Sequence, residues 1–239
     1  MIVSHKHKFI FMRPFKVAGT SLEYAMTPFL GADDIVCRLG KDEEKKRKSE
    51  FGLGERNNRK NIKQIFSDLT KRDRSRMLKF RWPEKFDGHC SAKYLSKRLE
   101  PELWLEYKKV SVVRNPWTFL VSFYFWNPSG KKRPPFQTWC RENIHLINAN
   151  HQHYFIEKNY IVDHLIRFED FPSGLHSLER QIPGLKGLSE LFAKANFKTE
   201  HRPKDLSISE MFEGGDWLKN AVLEQASFEI DRLSYSMPD

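Results

Sequence analysis

The stretch FIFMRPFKVAGTSLEYAM, residues 9–26, passes from an apolar strand pattern through a turn with one glycine into apolar residues at helical spacing. Lys8 to Met12 reads as a buried strand, and Ser21 to Phe29 as a helix carried by Leu22, Ala25 and Met26. Between them stand Lys16, Gly19, Thr20 and Ser21. A helix N-terminus offers unpaired backbone N–H groups and a partial positive charge, and a glycine beside it lets an anion approach the main chain. A lysine adds a mobile charge and the two hydroxyls add donors, so the junction suits phosphate or sulfate oxygens. It is not a Walker A loop, because the lysine precedes the glycine and the earlier glycine is missing. An ordinary reading stands beside this one: Gly19 makes a turn, Thr20 or Ser21 caps the helix, and Lys16 is a solvated charge.

A second junction of the same kind follows KKVSVV, residues 108–113. Asn115 is placed to cap a helix whose first residue is Pro116. Arg114 ends the strand and Ser122 lies about two turns into the helix, so both side chains reach toward one anionic group above the sheet edge. YIVDHLIRF, residues 160–168, reads as a third strand, and helical patterns occupy roughly 173–182, 188–195, 206–213 and 216–235. Strands alternating with helices predict an α/β fold of three layers, a central mostly parallel sheet flanked by helices.

The 239 residues, 39% hydrophobic, are enough for one core, and a single domain over residues 1–239 is expected. The longest near-apolar run, Phe119 to Trp126, is far too short to cross a bilayer, and Arg13 interrupts any signal-peptide core. Cys37, Cys90 and Cys140 lack the spacing of a disulfide scaffold or zinc site, so a reducing cytoplasm is the expected compartment and no metal is expected. The net charge of +10 points to an anionic partner. It is concentrated: residues 41–80 hold fourteen Lys/Arg against seven Asp/Glu, whereas residues 205–239 hold two against eight. Residues 41–80 read as a charged insertion or lid, with Ile62, Ile65, Phe66, Leu69, Met77 and Leu78 as an amphipathic helix face. This segment is open to two readings, an acceptor groove for an acidic saccharide or a solvated face of mixed charge. Lys131, Lys132 and Arg133 form a second patch of the same ambiguity.

Together the two junctions resemble the sulfotransferases that use 3'-phosphoadenosine 5'-phosphosulfate (PAPS), closest to the carbohydrate branch that includes heparan sulfate 2-O-sulfotransferases. RPFKVAGTSLE is similar to that family's 5'-phosphosulfate loop, and VSVVRNPWTFLVSFYFW to its 3'-phosphate motif, an arginine followed eight residues later by serine. HLIRFEDF and EIDRLSY are weaker echoes. The resemblance implies a P-loop-NTPase-like sulfotransferase fold. It implies that Lys16, Gly19, Thr20 and Ser21, with the amides of Val17 and Ala18, hold the 5'-phosphosulfate, and that Arg114 and Ser122 grip the 3'-phosphate. PAPS would be the donor, PAP (3'-phosphoadenosine 5'-phosphate) the product, and a hydroxyl-bearing saccharide the acceptor. Phe15 and Val17 stand where the family usually has proline and threonine, which implies a less rigid loop.

Sulfuryl transfer to an alcohol needs a cation at the leaving oxygen, fixed donors for the equatorial oxygens, and a base. Lys16 supplies the first. His89, in FDGHCSAKYL after a predicted turn at Asp87 and Gly88, resembles the family's catalytic histidine, and a histidine is suited to accept a hydroxyl proton. Glu23 is an alternative base whose plainer role is a helix-surface charge. His151 and His153 lack a third metal ligand at usable spacing and read as a loop or an aromatic cluster. Glu169 and Asp170 read equally as orienting groups or as a turn cap. A basic nucleic-acid-binding protein, a nucleotide kinase and a non-catalytic PAPS-binding module are the rival readings; no nucleic-acid-binding motif accompanies the charge, and no nucleic-acid partner is expected.

Overall fold

The computed structural model describes residues 1–126, 132–195, 203 and 206–238. A five-stranded mixed sheet runs in the order β3-β1-β2-β4-β7, from β1 (Ile2–Ser4), β2 (Phe9–Phe11), β3 (Ile35–Val36), β4 (Lys108–Val113) and β7 (His164–Arg167). β2, β4 and β7 are parallel neighbours, with Phe11 opposite Val110 and Val112 opposite Ile166. β1 is antiparallel to both β2 and β3. The sheet is therefore mixed rather than mostly parallel, because two strands of three and two residues, too short to show a period in the sequence, extend its N-terminal side. The third strand is shorter than 160–168. Asn159–Tyr160 (β6) pairs instead with Phe155–Ile156 (β5) in a separate hairpin.

Side-chain alternation along the strands divides the core in two. Phe9, Phe11, Val110, Val112 and Ile166 face one layer, built on α1 (Gly19–Met26), and later on α9 (Phe171–Gln181) and α10 (Leu188–Lys194). Ile10, Met12 and Val113 face the other, where α5 (Ala92–Arg98), α7 (Pro116–Phe125), α8 (Phe136–Asn143) and α12 (Asp216–Gln225) contribute Leu95, Leu120, Cys140 and Val222. Helices thus cover both faces, and α7 begins as its sequence dictates: Asn115 Oδ1 accepts from the amides of Trp117 and Thr118, and Pro116 takes the first position, where no N–H is needed. No described helix is long and apolar enough to cross a membrane.

Residues 41–80 do not form one amphipathic helix. They contain α2 (Lys41–Phe51), α3 (Ile62–Ser67) and α4 (Lys71–Met77), the last two each opened by a capping box, from Asn61 and Gln64 and from Thr70 and Asp73. The apolar residues of α3 and α4 do not face the core. Phe66 is 85% exposed and Leu78 83%. Full burial of such a side chain contributes about 1.5–3 kcal/mol, and here that contribution is not realised within the chain. Short helices α6 (Pro101–Glu106) and α11 (Ile208–Met211) complete the α-helices among the described residues.

Candidate functional site

Because β2, β4 and β7 are parallel, the loops that follow them leave one edge of the sheet, and those after β2 and β4 are immediate neighbours. The first loop is strained. Lys16 and Ala18 both hold left-handed backbone, at φ 58° and 53°. Neither is glycine, and each such residue costs about 1–3 kcal/mol, a strain that clusters at binding sites. Ala18 is itself the N-cap of α1 and provides no side-chain cap, so neither Thr20 nor Ser21 closes the helix and its first amides remain available for an anion. Val17 is buried in the core behind the loop. Gly19 is not where the chain turns left-handed. Its missing side chain has another cause: a Cβ there would lie 2.4 Å from Cγ of Arg13, which crosses beneath it.

The two junctions meet through Arg114. Its Nη1 donates to the Lys16 carbonyl at 2.8 Å, its Nε donates to Thr118 Oγ1 at 3.0 Å, and its guanidinium lies over the Phe168 ring at 4.2 Å. Thr118 and Ser122 are four residues apart on α7 and so share a face, with the Ser122 hydroxyl half-buried. The Lys16 ammonium stands 5.4 Å from the centre of the Trp126 ring. Glu169, after β7, accepts from the Asn115 amide and from the Tyr235 hydroxyl, both at 2.8 Å, so it orients the second junction. Asp170 is the cap, accepting from Ser173 at the start of α9. Thr118 and Tyr235 were not singled out in the sequence; the four-residue step back from Ser122 is the signal that finds Thr118.

His89 packs against the first loop. Its ring stacks on Phe15, centroids 4.4 Å apart, and Nδ1 lies 2.9 Å from the Arg13 carbonyl. A carbonyl only accepts, so Nδ1 carries the proton and Nε2 keeps its lone pair, the tautomer a base requires. Burial, then the Arg13 guanidinium, pushes the imidazole down to about 3, so His89 is neutral at pH 7. Its amide donates to Asp87 Oδ1 at 2.8 Å. Behind it, buried His153 meets Phe15 edge-on and stands 3.4 Å from the His89 carbonyl. The loop is also braced at Phe15, where the resemblance led us to expect slack: Phe15 N–H donates to Asn150 Oδ1 at 2.7 Å, and Asn150 Nδ2 donates back to the Phe15 carbonyl at 3.0 Å. Proline could not make the first bond, so the departure at Phe15 does not leave the loop slack.

Arg13 and Asn150 escaped the sequence reading. Arg13 is buried, donates to Glu23 Oε2 at 3.2 Å, and leaves its Nε without a partner among the described residues. Glu23 is accordingly neither a base nor a surface charge. It is fully buried, with its other oxygen on the Met1 amino group.

A cavity of about 320 Å³ opens beside His89, walled by α4 and α5. Its acids are all committed: Asp68 pairs with Lys60 and Arg98, Asp73 with Lys60, Glu84 with Arg76, and Asp87 with Arg72. Burial pushes Asp87 upward, but Arg72 and the His89 amide outweigh it and hold the carboxyl below the ordinary range. The part of the basic segment nearest His89 is thus compensated rather than a bare cationic groove. His151 falls in an aromatic cluster with Phe155 and Phe228, and its Nε2 donates to Glu229 Oε1, 3.0 Å away. No group of three or more His, Cys, Asp or Glu among the described residues is arranged to hold a metal ion. Arg133 lies over the rings of Tyr124 and Phe125, and Lys131 falls outside the described residues.

Searched against protein families, characterised proteins and solved structures, the chain matched none.

Proposed function

We propose that the chain transfers a sulfuryl group from PAPS to a hydroxyl of a saccharide-type acceptor, on a sulfotransferase variant of the P-loop-NTPase-like fold. The observation that carries this reading is the 2.8 Å bond from Arg114 Nη1 to the Lys16 carbonyl. It ties together the two motifs that the family uses for opposite ends of one donor, across a hundred residues of chain. The fit extends to the chemistry: an uncapped helix start with strained residues before it is an anion cradle, and a neutral histidine stands one loop residue away.

When bound, PAPS would supply an activated sulfuryl group on a good leaving phosphate. The amides from Val17 to Ser21 and the hydroxyls of Thr20 and Ser21 would hold its 5'-phosphosulfate oxygens. Lys16, exchanging its contact with Trp126, would neutralise charge at the leaving oxygen. Arg114, oriented by Thr118 and Phe168, and Ser122 would hold the 3'-phosphate. His89 Nε2 would take the acceptor hydroxyl proton, with Nδ1 fixed on the Arg13 carbonyl.

Calorimetric titration with PAP tests the reading. Wild-type protein is expected to bind PAP saturably, and Arg114→Ala to lose about tenfold to a hundredfold in affinity, the range for a charge-assisted hydrogen bond. Absence of PAP binding by the folded wild type would sink the proposal. A screen of saccharides with labelled PAPS then identifies the acceptor.

A further inference from the structure

α3, α4 and the turn after them carry a surface that the sulfuryl-transfer reading does not use. Ile62, Phe66, Leu78 and Phe80 are 64%, 85%, 83% and 101% exposed, a concentration of protruding apolar groups that marks an interaction site. Phe80 holds left-handed backbone, φ 54°, unfavourable for a bulky aromatic residue, and this turn presents its ring wholly outward. Ile62, Phe66, Met77, Phe80 and Trp82 line an apolar trough of about 360 Å³. Trp82 is fixed at its rim, its indole N–H donating to the Lys60 carbonyl at 2.6 Å while half the ring is exposed.

The charges around this surface are sorted. Lys63, Lys71, Arg74, Lys79 and Arg81 are exposed and form no ion pair among the described residues. The acids of the neighbourhood, Asp68, Asp73 and Glu84, are all held by other cations on the side of the His89 cavity. In the stretch Leu78-Lys79-Phe80-Arg81-Trp82, apolar residues alternate with cations and no acid interrupts them. Protruding aliphatic and aromatic side chains, an indole at the rim and unopposed cations are complementary to one environment: the headgroup boundary of an anionic bilayer. The trough is a poorer match to a peptide helix. Its walls are helices of six and seven residues, only about 10 Å long, short of the two turns over which helix anchors are read.

We propose that this tip docks the protein on an anionic lipid surface, Phe66, Leu78 and Phe80 entering the interface while Lys79 and Arg81 meet the headgroups. The proposal stands independently of the donor and acceptor assignments.

The test is cosedimentation of the full chain with vesicles of phosphatidylcholine alone or with one third phosphatidylserine, at low and high salt. Binding is expected on the phosphatidylserine vesicles and is expected to weaken with salt. Replacing Lys79 and Arg81 by glutamate should weaken it by at least about twenty-fold, at about fivefold for each cation removed. The triple variant Phe66→Ser, Leu78→Ser, Phe80→Ser should bind at least about tenfold less while unfolding at the same temperature, since these side chains contribute little internal packing. A blue shift of tryptophan emission on phosphatidylserine vesicles, lost in Trp82→Phe, would place the tip in the interface. No binding to phosphatidylserine vesicles, or binding that both variants retain, would overturn the proposal. Lipid-free self-association abolished by the serine variant, without vesicle binding, would also overturn it and assign the patch to a second copy of the chain.

Discussion

Replacing His89 with glutamine tests the central electrostatic claim without requiring turnover. Folding places the imidazole against Arg13 and under Phe15, where burial and the guanidinium push it to about 3, against an ordinary value of 6.5. The unfolded chain therefore binds a proton near pH 6.5 that the folded chain refuses until about pH 3. The folded value is the lower one, so stability is fully present above pH 6.5 and is lost as pH falls through this window. From pH 6.5 to 4.5, allowing for half-titration of the unfolded chain at the start, the loss amounts to about 2 kcal/mol.

Glutamine does not titrate, so His89→Gln should lose about 2 kcal/mol less stability than wild type over that interval. Urea denaturation of both proteins at pH 6.5 and 4.5 gives the comparison. His153, pushed by burial to about 4, and His164, also lowered by burial, steepen the pH dependence of both proteins, and the contribution of His164, which does not touch His89, cancels in the difference. Equal losses in the two proteins would show that His89 titrates near its ordinary value in the fold. The desolvated setting between Phe15 and Arg13 would then not be what holds the imidazole neutral.

Two further substitutions probe how the loop is held. Gly19→Ala puts a Cβ 2.4 Å from Cγ of buried Arg13, and overpacking of this kind should cost about 1–3 kcal/mol in urea denaturation; an unchanged midpoint would mean that Arg13 is not confined beneath the loop. Asn150→Ala removes the bonds at 2.7 Å and 3.0 Å that bracket Phe15, at about 1 kcal/mol each. It should accelerate hydrogen exchange at the Phe15 amide and weaken PAP binding, whereas unaltered exchange would show that the bracket is not what holds the loop.

What the sequence disclosed was local. β4 spans residues 108–113 as read, and the Asn115 cap with Pro116 after it forms as the residues demand, because capping and φ preference act within four residues. The pairing Lys16–Arg114 was legible as two separate motifs, since each follows a strand. What remained hidden depends on partners distant in the chain. Ile35–Val36 becomes a strand by pairing with Ile2–Ser4, which is itself paired with Phe9–Phe11. Glu23 reads as a helix-surface charge until Arg13 folds beneath α1 and buries it. The exposed side chains of α3 and α4 have helical spacing without a core to face, and periodicity alone does not say which side meets protein.

Arg13 shows why the two glycine turns are one device. Read along the chain, Gly19 belongs to an anion loop and Gly88 to the approach of a histidine, and nothing connects them. In the fold the Arg13 side chain passes between them: a Cβ on Gly19 would strike its Cγ, and a Cβ on Gly88 would lie 1.8 Å from its Nη2. Each glycine is there to admit the same side chain. Glu23 holds the guanidinium at the far end, and the Arg13 carbonyl accepts from His89 Nδ1. The spacing between the first loop and His89 is therefore set by a buried ion pair and two absent side chains. This arrangement also explains why a weakly basic, desolvated imidazole is tolerated there: moving it outward to recover its ordinary basicity would break the bond to the Arg13 carbonyl that fixes its tautomer.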